Sequence, residues 1–166
     1  TALNNNCQVR IDGYLTTTLN AKQTYELEIT SSSPAVYLET SEPACVFLYL
    51  TGASYGGSNG DPSMVIINPI EQRINNITFS SFNTATSEYH FVNIVTETSN
   101  VPNMQLDDTS ISSQFSIVPS KPDYSYARIQ IAHGSHTLNN LNSGEGSGFI
   151  AHVYGLGPAE SYAYSV

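Results

Sequence analysis

The chain predicts an all-β fold, an antiparallel β-sandwich or jelly-roll-like arrangement with little or no helix. Three observations carry that expectation. Apolar residues recur with the alternation of strands, turn residues interrupt them at near-regular spacing, and no apolar i, i+3, i+4, i+7 stripe persists for the roughly ten residues a helix needs. Eleven Tyr and no Trp accompany many Thr, and Tyr and Thr both fit a pleated, half-buried surface.

Taken in order, Val9-Arg-Ile-Asp12, Tyr25-Glu-Leu-Glu-Ile29, Val36-Tyr-Leu-Glu39 and Arg128-Ile-Gln-Ile131 alternate as half-buried strands do. Val46-Phe-Leu-Tyr-Leu50 and Met64-Val-Ile-Ile67 are continuous apolar runs, which predict strands covered on both faces. Further strands are expected over Ile77–Ser80, Tyr89–Thr96, Gln114–Val118, Gly148–Gly155 and Ser161–Tyr164. Ser33-Pro34, Glu42-Pro43, Asp61-Pro62, Asn68-Pro69, Val101-Pro102 and Lys121-Pro-Asp123 read as turns. Ser54–Gly60 and Asn139–Gly148 read as exposed loops. With neither a solenoid repeat nor an internal linker, residues 1–166 are expected to form one domain of one core or two sub-lobes. A chain of this length buries about 70% of its unfolded surface.

Five basic against 14 acidic residues give a net charge of −9. That excludes a phosphate-backbone binder, which needs a Lys/Arg footprint, and argues against an anionic membrane surface. No apolar run approaches the ~20 residues of a membrane insertion, and no signal-peptide pattern opens the chain. Thr1 at the start makes a mature or excised piece of a longer protein the expectation. A polar, weakly charged surface and one sequon, Asn76-Ile-Thr78, fit a secreted or cell-surface glycoprotein. Cys7 and Cys45 allow an internal disulfide worth about 4 kcal/mol in an oxidising compartment. Two buried thiols, or a bridge to a neighbouring chain, fit the same spacing.

No constellation announces a reaction. Gly56-Gly-Ser58-Asn-Gly60 matches a nucleophile elbow in letters only, because Pro62 follows where a helix is needed. His133 and His136, with His152 beyond, lack the nearby Cys or acid that a zinc site would add. Glu71 stands alone, which leaves a paired-carboxylate glycosidase unsupported. Asp61, Asp107 and Asp108 are the weak calcium candidates, though no loop pattern gathers the six to eight oxygens calcium takes. No other cofactor is expected. Tyr154, Tyr162 and Tyr164, with Asn139, Asn140 and Asn142, are the candidate binding surface for a sugar or a protein; the competing role for the tyrosines is to cover the core.

Gly60-Asp-Pro-Ser-Met64, Pro69-Ile-Glu-Gln72, Leu106-Asp107, Gly134-Ser-His136, Tyr154-Gly155 and Ser161-Tyr162 occur in an order and spacing that resemble the N-terminal domain of the IgGFc-binding protein family. Ala163 stands where relatives usually carry Gly. The resemblance implies a non-catalytic extracellular module of mucus-type or bacterial surface proteins, with a part in adhesion or matrix structure. The polar, weakly charged surface and the lack of catalytic groups make other proteins or copies of the same chain the expected partners. A carbohydrate-binding module is the alternative.

Overall fold

A computed structural model describes residues 1–30, 32, 34–53, 59–82, 88–142, 144 and 146–166. Gly56, Gly57 and Ser58 of the elbow-like pattern, Ser33 of the Ser-Pro turn, and positions 143 and 145 of the Asn-rich loop lie outside the described residues.

Strands dominate, and every pairing is antiparallel. In chain order they are β1 (Cys7–Ile11), β2 (Tyr14–Leu19), β3 (Leu38–Thr40), β4 (Phe47–Leu50), β5 (Ser63–Ile66), β6 (Asn76–Ser80) and β7 (Tyr89–Glu97). They continue with β8 (Met104–Leu106), β9 (Thr109–Ser110), β10 (Ser116–Ile117), β11 (Tyr124–Ile131), β12 (Ser135–Asn140), β13 (Phe149–Gly157) and β14 (Glu160–Ser165). Short 3-10 turns span Ile70–Gln72, Thr98–Asn103 and Ser112–Gln114, and among the other described residues only Ala53 is helical. Prolines at positions 69 and 102 suit such turns, since proline fixes φ and lacks a backbone donor.

Two sheets form the sandwich: a five-stranded one in the order β10-β11-β7-β13-β14, and a four-stranded one in the order β6-β12-β8-β9. Between them lie Val92 and Ile94 of β7, Ala127, Ile129 and Ile131 of β11, and Phe149, Ala151 and Val153 of β13. Phe79, Met104 and Leu138 face them from the smaller sheet. Alternation accounts for the pattern, because β7 buries every second residue along its length.

A third sheet, β2-β1-β3, carries its own small cluster of Ala2, Cys7, Val9 and Leu19. It meets the sandwich through Tyr37, which stacks on Tyr124 (centroids 6.2 Å apart, 15° between planes) beneath the Lys121 ammonium. Asp12 joins the same contact, accepting hydrogen bonds from the Tyr37 N–H and the Ser120 hydroxyl.

The fourth sheet is the two-stranded ribbon β4-β5, and here two expectations are corrected. The runs 46–50 and 64–67 are not covered on both faces. Val65 is buried, whereas Phe47, Tyr49, Met64 and Ile66 on the other face are 38–68% exposed. The alternating segment Tyr25–Ile29 forms no ladder either. It takes up no regular secondary structure, its Tyr25, Leu27 and Ile29 are exposed, and nothing in the described residues pairs with its backbone. The alternation is that of a half-buried strand, but no surface among the described residues covers it.

Candidate functional site

The motif residues are spread through the sequence, and the fold brings them together in pairs. The loop carrying Gly60 and Asp61 lies against the C-terminal hairpin β13-β14. Gly60 N–H donates to the Gly157 carbonyl and Asp61 N–H to Ser161 Oγ, both at 2.8 Å. Gly60 has φ +104°, and a Cβ there would stand 3.0 Å from Ser161 Oγ, so the approach requires glycine.

Farther along the same hairpin, Gly155 pairs with Tyr162 across the register. The Tyr162 ring lies against the glycine so closely that a Cβ at 155 would be 2.2 Å from Cε1 and 2.7 Å from Cζ. Several contacts hold the ring there. Its hydroxyl meets His90 Nδ1 at 2.8 Å, its face stacks on Tyr164 at 6.3 Å, and Phe82 packs edge-on at 5.0 Å. Burial pushes the Tyr162 hydroxyl up to about 12, against a backbone hydrogen bond at Phe82. Burial, then the neighbouring His133 and His136, lower His90 below the ordinary imidazole value. The ring is therefore neutral, and its tautomer sets which of Nδ1 and the hydroxyl donates.

Leu106-Asp107 and Gly134-x-His136 also meet. Asp107 Oδ1 accepts from the Thr137 N–H at 2.8 Å, and Oδ2 lies 2.7 Å from His136 Nδ1. The other ring nitrogen of His136 is 3.0 Å from the Ala132 carbonyl. Burial pushes the Asp107 carboxyl up, but the bonds from His136 and Thr137 outweigh it and hold the group below the usual carboxylate range. Both ends of the buried imidazole are thus occupied by the protein itself.

The remaining sequence candidates take these places. Asp61 and Asp108 are exposed, while both oxygens of Asp107 are engaged as described. Among the described residues, no three His, Cys, Asp or Glu side chains are arranged to hold a metal ion. His133 is exposed with its ring 6.2 Å from that of His90, and Glu71 is exposed in its 3-10 turn. His152 Nε2 faces Asn93 Nδ2 at 3.0 Å, and burial lowers this imidazole to about 4. Asn93 Nδ2 is therefore the donor and Nε2 the acceptor.

Tyr162 and Tyr164 share one face of β14 and stack at 6.3 Å, but Tyr154 does not join them. Tyr154 pairs with Ala163 in the register and so faces the opposite side of the sheet from Tyr162 and Tyr164. It is buried and stacks on Phe91 at 5.2 Å. The Asn-rich loop also turns its amides inward. Asn139 is half-buried in β12, buried Asn140 accepts from the Asn142 N–H at 3.0 Å, and Asn142 Nδ2 donates to Asn100 Oδ1 at 2.9 Å. Asn76 is exposed at the start of β6. The structure carries Cys7 and Cys45 as free thiols. Cys7 points into the small N-terminal cluster with Sγ 3.6 Å from the Glu42 carbonyl, while Cys45 is aligned by its N–H bond to the Thr1 carbonyl.

What stands open is the ribbon. Phe47 pairs with Ile66 and Tyr49 with Met64 across the β4-β5 register, so the four side chains form one contiguous apolar face. Its reverse side is anchored on β14, where the Ser165 hydroxyl donates to the Ile66 carbonyl. Beside it, Arg128 of β11 lies over Phe91 and Tyr154 at 4.3 and 5.7 Å from their ring centres. Sequence reasoning passed over both features: an apolar run does not say who covers it, and a lone Arg does not say what it stands upon.

Neither a curated protein nor a solved structure matches this chain significantly. The sequence profile of the family described as IgGFc binding protein matches residues 1–155, and the chain belongs to that family.

Proposed function

We propose that this chain is a non-catalytic extracellular module, adhesive or structural, that works through protein–protein contacts made by the outer face of the β4-β5 ribbon. The observation that carries the reading is the exposure of Phe47, Tyr49, Met64 and Ile66 side by side on a two-stranded element. Contiguous apolar faces of this kind are uncommon on monomers and mark interaction surfaces, and aromatic and Met side chains are enriched at such interfaces. The unpaired Tyr25–Ile29 segment adds a second surface suited to strand addition by a neighbour. A non-catalytic role is supported by the motif residues, whose polar groups are spent on one another.

The family name makes immunoglobulin Fc the first partner to test, and a second copy of the chain is the other. Immobilised protein is presented with an Fc fragment and with itself, in wild-type form and as the Tyr49→Asp/Met64→Lys double variant. At least one of the two should bind, and the double variant should lose roughly tenfold or more, as central interface residues do, at unchanged melting temperature. Absence of binding to either, or binding indifferent to the double variant, refutes the proposal.

A further inference from the structure

We propose that the pocket formed where β4 ends, above the outer face of the five-stranded sheet, receives a carboxylate of the partner protein: an Asp or Glu side chain or a C terminus. The inference rests on the reading of the chain as a protein-binding module. The pocket measures about 350 Å³ and is lined by Leu50, Thr51, Asn59, Arg128, Tyr154 and Leu156.

Among the described residues that line it, Arg128 is the charged one. Three adjacent strands fix its position, for β11, β7 and β13 are neighbours in the sheet and supply Arg128, Phe91 and Tyr154 in turn. Phe91 and Tyr154 stack at 5.2 Å with 22° between their planes, and the guanidinium rests 4.3 Å from the Phe91 centre. A guanidinium laid on aromatic faces keeps its N–H edge free for a planar, two-pronged acceptor. Tyr154 engages part of that edge.

No carboxylate within the described residues comes within ion-pair distance of Arg128, in a chain with 14 acidic and five basic residues. Arg73 and Lys121, by contrast, lie 3.2 and 3.8 Å from Glu97 and Asp123. Among the described residues the exposed guanidinium thus has no acidic partner, and the edge that Tyr154 leaves open can meet an acid from outside. Thr51 and Asn59 add neutral hydrogen-bonding groups, and Leu50 and Leu156 offer an apolar wall to the methylenes that precede a side-chain carboxyl. An acidic sugar is the less suitable source. Sugars dock on bare aromatic faces, and Tyr154 is buried, stacked on Phe91 and capped by Arg128.

The test is an NMR titration of the whole chain with N-acetyl-L-glutamate, its neutral counterpart N-acetyl-L-glutamine, and glucuronate. The glutamate should move the Arg128 Nε–H and the Thr51 and Asn59 amides saturably, with a Kd on the order of millimolar, about 4 kcal/mol of binding. The glutamine should not. Arg128→Gln should bind at least about tenfold more weakly, the loss expected for a charge-assisted hydrogen bond. Arg128→Lys, which keeps the charge over the rings but not the fork, should fall between. Equal responses to glutamate and glutamine, an unchanged affinity in Arg128→Gln or Arg128→Lys, or a response to glucuronate alone would each overturn the proposal. Partner binding that survives Arg128→Gln but is lost in Tyr49→Asp/Met64→Lys would sink the pocket and leave the protein-binding reading standing.

Discussion

Replacing Gly155 with alanine is the most exacting test of how the family motif works. The added Cβ would lie 2.2 Å from Tyr162 Cε1 and 3.0 Å from His90 Nδ1, far inside contact distance, so the ring must leave its seat or the hairpin must shift. If the ring leaves, the buried hydrogen bond to His90 is lost, at about 1 kcal/mol. The stacking on Tyr164 and the edge contact with Phe82 go with it, at about 1 kcal/mol each. Forcing the extra methyl into a packed site without that movement costs about 1–3 kcal/mol, so both routes converge near 3 kcal/mol. For a domain of this size that lowers the melting temperature by about 6–12 °C. Thermal denaturation followed by circular dichroism measures the shift and urea denaturation the free energy, in wild-type and Tyr162→Ala backgrounds. With the ring gone, Gly155→Ala should cost less than about 1 kcal/mol, leaving a coupling of about 2 kcal/mol. A fall below about 2 °C, or an equal cost in both backgrounds, would refute the reasoning.

Two further outcomes are expected. The His152 imidazole is lowered by burial to about 4 in the folded chain against about 6.5 unfolded. Between those values the unfolded state binds more protons, so stability is complete above pH ~6.5 and falls as the solution is acidified, by up to about 3 kcal/mol near pH 4. His152→Gln should flatten the unfolding midpoint over that window; an equally steep fall in the variant rejects His152 as its source. Cys7 is buried and Cys45 partly exposed, both as free thiols. A thiol reagent should therefore label Cys45 in the native protein and Cys7 only after unfolding, while a purified chain with no titratable thiol before reduction would contradict this arrangement.

The sandwich was legible because a core strand declares itself through alternation. The runs around Val92–Ile94, Ala127–Ile131 and Ala151–Val153 each put their buried residues where period two requires. β2 and β12 were not anticipated: Tyr14-Leu-Thr-Thr-Thr-Leu19 and Ser135–Asn140 mix polar and apolar residues without a clear beat, and pairing with neighbours makes them strands. Asp107 and His136, or Gly155 and Tyr162, are visible as letters, but their contact depends on which strands become neighbours, a non-local fact. The ribbon shows the converse limit. Phe47, Tyr49, Met64 and Ile66 carry the composition of a buried strand, and hydrophobicity alone does not distinguish cover supplied by the chain from cover supplied by another molecule.

The anchoring of the ribbon on the last strand has a bearing on biosynthesis. Asp61 and Ile66 are tied to Ser161 and Ser165, partners 100 and 99 positions downstream. At ribosomal speeds of roughly 5–20 residues per second, that separation leaves the nascent apolar strips bare for about 5–20 seconds before their docking partner emerges. A chaperone acting in that interval would shield the strips until the last hairpin is made.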